Sequence, residues 1–238
     1  MVFLAVAFGI SIMLVSLNQE ASGASTNPSQ GYHNVLFQDN YSSSAGWTQI
    51  GTGITVNGSA FPGVVKFNDV VGGQSASEQR VFRELPSALP ERWIMQFDYK
   101  FTQSTIPTDI ILALTDTSDD PQKQPANESI FVEHGGFTGL DVLSVDTGVS
   151  TTPPIFISAN TQYYITIEKT PTQLKMSAFS DPARTIQVPG SPVTETISPS
   201  DFKQGLKFIQ HDGCFFCGSA RMLTAEIDNT EILTKGNQ

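Results

Sequence analysis

Histidine and cysteine are scarce in this chain of 238 residues, which has only His33, His134 and His211 and the single pair Cys214 and Cys217. None of the histidines stands at the spacing of a paired metal ligand. Basic residues are also few. Thirteen lysines and arginines face 23 aspartates and glutamates, a formal net charge of −10, so a phosphate backbone is repelled and nucleic acid is excluded as a partner. There is no Ser/His/Asp arrangement suited to nucleophilic catalysis and no glycine loop that would cradle phosphate. No repeat of fixed period occurs, which argues against a propeller or a solenoid. No strand-like segment is followed by a ten-residue helical period, which argues against parallel βαβ units and against a thioredoxin-like redox role for the cysteines.

What is abundant is strand and turn chemistry. Sixteen phenylalanines accompany frequent Val, Ile and Thr, with Gly and Pro spread along the chain. In WIMQFDYKF, Trp93, Met95, Phe97, Tyr99 and Phe101 point one way and Ile94, Gln96, Asp98 and Lys100 the other, the mark of a half-buried antiparallel strand. The same period runs through QYYITIEK from Gln162 and LKMSAF from Leu174, with Lys169 to Gln173 as a hairpin loop between them. Further strands are expected at Gly63–Asn68, Arg80–Leu85, Asp109–Thr115, Ser129–His134, Gly205–His211 and Leu223–Asp228. Short strands of this kind, punctuated by turns, predict an all-β domain of two antiparallel sheets packed face to face, with a barrel as second choice.

The N-terminus differs. Val2 to Leu17 carries no charge and is apolar except for Gly9, Ser11 and Ser16, the length of a signal-peptide core. Ser22-Gly23-Ala24 offers small residues for cleavage after Ala24, yet a positive n-region is missing, so residues 1–24 read as a signal peptide or as a retained membrane anchor. Residues 25–34 form a flexible leader, and residues 35–235 the domain. Export places the protein outside the cell or on its surface, with membrane contact only through residues 1–24. Three acceptor patterns for N-linked glycan, at Asn40, Asn57 and Asn127, agree with export. In an oxidising compartment Cys214 and Cys217 are expected to form a small-loop disulfide that pins a tight turn between the strands ending near His211 and starting near Leu223. Zinc would need two further ligands, of which only His211 offers itself.

The succession of Phe37-Gln38-Asp39, Trp47, WIMQFDYKF, TQYYITIEK, LKMSAFSD and LTAEIDNTEI, from about Val35 to Leu233, resembles the concanavalin A-like lectin and glucanase superfamily. The resemblance implies a jelly-roll-like β-sandwich with one concave and one convex sheet, a face that binds or cleaves carbohydrate, or a surface module without catalysis. Glu226-Ile227-Asp228-Asn229-Thr230-Glu231 resembles the acidic motif of the superfamily's retaining glucanases, with Glu226 and Glu231 as the catalytic pair and Asp228 between them. Strict alternation would put the glutamates on opposite faces, so the motif requires a bulge near Asn229.

Two groups of carboxylates are candidates for a structural calcium ion. Asp116, Asp119 and Asp120 lie in an oxygen-rich turn. The resemblance offers Asp39 and Asp228, near the chain ends, as the alternative. A sugar ring presents apolar C–H faces edged with hydroxyls, so an aromatic platform beside planar polar groups suits it. The candidates are Trp47, Tyr164, Gln96, Asp98 and the loop of His134, while Trp93, in phase with Phe97, belongs to the core. The leading expectation is an exported lectin-like module that contacts glycan without turning it over. The alternatives are a glycoside hydrolase using Glu226 and Glu231 and a structural cell-surface assembly protein.

Overall fold

Period-two alternation of large apolar residues forces an extended chain to present one greasy face, and the long segment from Trp93 does so against a second sheet. A computed structural model describes residues 31–58, 61–70, 79–105, 108–125, 128–137, 139–198, 205–213 and 222–235. Among these residues the strands are, in chain order, β1 (Asn34–Asp39), β2 (Thr48–Ile50), β3 (Ile54–Gly58), β4 (Phe61–Val70), β5 (Arg80–Glu84), β6 (Trp93–Thr105), β7 (Thr108–Thr115), β8 (Ser129–Phe137), β9 (Leu140–Asp146) and β10 (Ile155–Ile157). Then follow β11 (Tyr163–Lys169), β12 (Gln173–Phe179), β13 (Val193–Thr196), β14 (Phe208–Asp212) and β15 (Met222–Thr234). Helical structure among the described residues is one 3-10 turn, Pro121–Lys123, so no helix there is long and apolar enough to cross a membrane. Residues 1–24, read as signal or anchor, lie outside the described residues.

The strands form an antiparallel two-sheet sandwich of the jelly-roll kind. An eight-stranded sheet runs β13-β12-β11-β6-β15-β4-β3, with β1 pairing the far half of β15, and a seven-stranded sheet runs β10-β9-β8-β7-β14-β5-β2. Trp93, Met95, Phe97, Tyr99 and Phe101 of β6 are all buried against Ile111, Leu114, Val132, Leu143 and Ile209 of the facing sheet. Removing each such large side chain from water stabilises the domain by about 1.5–3 kcal/mol. One residue breaks the expected alternation. Ile94 points outward with Gln96 and Asp98 yet is fully buried, because Tyr32 and Leu233 cover it at the chain ends. The hairpin between β11 and β12 forms as expected, closed by the Thr170 amide donating to the Gln173 carbonyl at 2.9 Å.

The disulfide clip is corrected. Cys214 and Cys217 lie outside the described residues, and no bond between them is supported. The strands on either side of the cysteines, β14 and β15, belong to the seven-stranded and the eight-stranded sheet respectively.

Candidate functional site

The outward-facing residues at the centre of the eight-stranded sheet are polar, and register brings them together. Gln96 of β6 lies opposite Glu231 of β15 on one side and Thr166 of β11 on the other, while Gln38 of β1 lies opposite Glu231. In the next row Asp98 lies between Asp228 and Tyr164. A recess of about 270 Å³ opens here, lined by Gln38, Asp39, Gln96, Asp98, Tyr164, Arg184 and Glu231 among others. A wider recess of about 500 Å³ shares Gln38, Asp39 and Asn40 with it and continues toward Ser42, Ala45 and Arg83.

The bulge that the acidic motif requires is present. Asn229 and Thr230 together oppose the single Phe97 between the Asp228–Asp98 and Glu231–Gln96 pairs, and Asn229 takes a positive φ of 49°. One extra residue resets the alternation, so Glu226, Asp228 and Glu231 share the outer face while Ile227, Thr230 and Ile232 are buried. A buried cluster holds the bulge from below. The Tyr41 hydroxyl lies 2.6 Å from Thr230 Oγ1 and 3.2 Å from His211 Nε2. His211 Nδ1 is 2.9 Å from the Ile111 carbonyl, which can only accept, so Nδ1 carries the proton, while the Tyr41 hydroxyl donates to Thr230 Oγ1. Burial pushes the His211 imidazole down to about 4 and the Tyr41 phenol up.

Arg184 closes the opposite rim. Its guanidinium donates to Asp98 Oδ1 at 3.1 Å and stands 5.8 Å from the centroid of the Tyr164 ring, and Asp98 Oδ2 accepts from Asn229 Nδ2 at 2.9 Å. Asp181 fixes the loop that carries Arg184. Its carboxylate accepts from the Thr185 and Ile186 amides at 2.9 and 2.6 Å and from the Thr185 hydroxyl at 2.8 Å, and these bonds hold it below the usual carboxylate range. Arg184 Nε is buried without a hydrogen-bond partner.

Of the residues singled out for sugar contact, Gln96, Asp98 and Tyr164 meet in the recess and two do not. Trp47 lines neither recess. It is partly buried, its indole packs 5.4 Å from the His211 ring, and its Nε1 donates to Asp39 Oδ2 at 3.0 Å from behind the site. His134 is corrected to a core residue. It is 0 % exposed, pointing between the sheets, with Nδ1 bonded to the Tyr99 hydroxyl and Nε2 3.1 Å from Asp141 Oδ1. Gln38 and Arg184 escaped sequence reading. Gln38 reaches the site only through the register of β1 on β15, and Arg184 by a loop contact 86 residues from Asp98.

The calcium candidates are largely committed elsewhere. Asp39 accepts from the Tyr41 amide, Trp47 and Arg83, the last at 2.8 Å. Asp228 accepts from the Asn229 amide at 2.7 Å, and burial, with Asp98 and Glu226 nearby, raises its carboxyl. Asp120 caps the 3-10 turn and pairs with Lys123, and Asp119 accepts from the Thr117 hydroxyl. The backbone oxygens of Thr117, Ser118 and Asp119 turn inward to Gln210 and Arg80. Among the described residues no three His, Cys, Asp or Glu side chains converge as a cation would require. Glu226 is also engaged, in an ion pair with Lys66 at 2.7 Å, and it does not line the recess. Of the glycan acceptors, Asn40 is exposed beside the recess, Asn57 is bonded through its carboxamide to the Ser42 carbonyl and the Gly63 amide, and Asn127 lies outside the described residues.

The architecture is that of the concanavalin A-like lectins. Peanut lectin in complex with a nine-residue peptide is 10% identical, with 87% of this chain and 100% of that chain covered at a TM-score of 0.56. The exoplasmic/lumenal domain of VIP36, in a Ca2+/Man3GlcNAc-bound form, is 10% identical over 87% of this chain and 92% of that one, TM-score 0.53. Winged bean acidic lectin with methyl-α-D-galactose is 11% identical over 85% and 98%, TM-score 0.54. No family model and no curated sequence matches the chain.

Proposed function

We propose that the protein is an exported, lectin-like module that binds carbohydrate outside the cell, in the recess on the outer face of the eight-stranded sheet, without turning it over. The carrying observation is the cross-strand row Gln38, Glu231 and Gln96 beside the Tyr164 ring. Two amides and a carboxylate offer paired donors and acceptors for vicinal hydroxyls, and the ring offers a surface for C–H faces. The shared lining of the two recesses favours an oligosaccharide over a single ring. The likeness to winged bean lectin with methyl-α-D-galactose and to VIP36 with Man3GlcNAc agrees with this reading. The apolar segment 2–17 supports a secreted or cell-surface location. A glycan array followed by calorimetric titration tests the proposal, and the absence of binding to any oligosaccharide would remove it.

Hydrolysis is the less favoured reading, although the bulge places Glu226 and Glu231 on one face. A retaining pair must address one scissile bond from about 5–5.5 Å apart, whereas Lys66 neutralises Glu226 outside the recess that Glu231 lines. Release of reducing ends from any oligosaccharide that binds would restore it.

A further inference from the structure

The charged groups that line the recess do not balance. Asp39 is held by Arg83 at 2.8 Å and Asp98 by Arg184 at 3.1 Å, two closed ion pairs. The Glu231 side chain has neither a hydrogen bond nor an ion pair with any described residue, and it stands between two amides, Gln38 and Gln96. Gln38 likewise has no side-chain hydrogen bond to a described residue, and Gln96 has one long contact, 3.5 Å to Thr166 Oγ1. Arg184, the one cation among the described residues that line the smaller recess, gives Nη2 to Asp98 and Nη1 to the Pro182 carbonyl at 3.4 Å, and is therefore poorly placed to receive a second carboxylate.

We infer that Glu231 makes this recess selective by charge: it admits neutral and amine-bearing sugars and rejects uronates. The inference rests on the reading of the recess as a sugar site. A ligand hydroxyl or ammonium donates to the free carboxylate, with Gln38 and Gln96 able to donate to or accept from neighbouring hydroxyls. A ligand carboxylate in the same position meets an uncompensated like charge at a partly buried surface. At a separation of several ångströms that repulsion amounts to a discrimination on the order of tenfold to a hundredfold, reduced by added salt. The site thus gains specificity from a repulsive element as well as from its donors and acceptors.

The test uses matched tetrasaccharides, each neutral hexose oligomer paired with the uronate oligomer that differs from it only in a carboxylate at C6, titrated at neutral pH in low and in 0.5 M salt. The wild-type protein is expected to bind a neutral member at least tenfold more tightly than its uronate partner, with the ratio narrowing in high salt. Glu231→Gln is expected to weaken neutral binding while collapsing the ratio toward one. Glu231→Asp, which keeps the charge, retains the discrimination, and thermal melts confirm that both variants are folded. Equal binding of neutral and uronate members by the wild type would overturn the inference while leaving the sugar site standing, as would a ratio unchanged in Glu231→Gln. If no oligosaccharide of either kind binds, both readings fall.

Discussion

Tyr41 and His211 meet across the interior of the sandwich, hydroxyl to Nε2 at 3.2 Å, with Thr230 on the other side of the same hydroxyl at 2.6 Å. The contact ties the seven-stranded sheet, through β14, to the bulge in β15 that turns Glu231 into the recess. The shape of the recess therefore depends on a hydrogen-bond chain in the core.

Tyr41→Phe should show that dependence. The change keeps the ring and leaves Thr230 Oγ1 and His211 Nε2 without the hydroxyl between them in a dry interior, so chemical denaturation should register a loss of about 1–3 kcal/mol. Oligosaccharide affinity should fall as well, since Thr230 loses its anchor. Unchanged stability would mean that a water or a shifted side chain takes the place of the hydroxyl.

Acid should weaken the fold through His211. Its folded-state value of about 4 lies below the ordinary 6.5, so the unfolded chain binds more protons between these limits. Stability is present above pH 6.5 and is lost as pH falls toward 4. A buried His134, also depressed by desolvation, acts in the same direction. Melting temperatures of the wild type and of His211→Gln across pH 4–7 check this, the variant showing a flatter acid limb.

Alkali should act in the opposite sense through Glu133. Burial, together with Asp146, raises its carboxyl from 4.5 to about 7, and one of its oxygens is buried without a partner. The folded state therefore holds a proton that the unfolded chain has released, a contribution fully present below pH 4.5 and lost as pH rises through 7. Burial and the nearby Asp120 raise Asp212 as well, which adds to the trend. Glu133→Gln should melt higher than the wild type at pH 8 and show less difference at pH 5.

Calcium chelation should leave the described fold in place. The oxygens of the 116–120 turn are bonded to Arg80, Gln210, Gln122 and Lys123, and Asp39 is saturated by Tyr41, Trp47 and Arg83. Melting temperatures in EDTA and in millimolar calcium are expected to agree within about a degree. A calcium-dependent rise of several degrees would locate a cation site among oxygens that this arrangement counts as occupied.

Much of the fold was legible because the strands that build it are long enough to show their period. The side chains of β6, β11 and β12 take the faces that their period in the sequence assigns, although Ile94, Thr166, Ser177 and Phe179 on the outer phase are buried. β2, β10 and β13 span three or four residues and show too little of a period to be read. The site was half legible. Gln96, Asp98 and Tyr164 stand on the polar phase of long strands, and a bulge near Asn229 was what the resemblance of Glu226 to Glu231 to an acidic motif required. His134 misled because an imidazole in a strand carries no mark of facing inward, and Trp47, only partly buried, lies outside the lining of both recesses. The disulfide expectation fell on residues outside the described ones, and that β14 and β15 belong to different sheets is nothing their adjacency in sequence reveals.

The most direct test is titration of the wild-type protein and Tyr164→Ala against the tightest-binding neutral oligosaccharide of an array. Tyr164 is a partly exposed ring at the recess, so truncation should weaken binding at least tenfold while leaving the melting temperature nearly unchanged. Equal affinity in the two proteins would place the sugar elsewhere on the molecule and contradict the account.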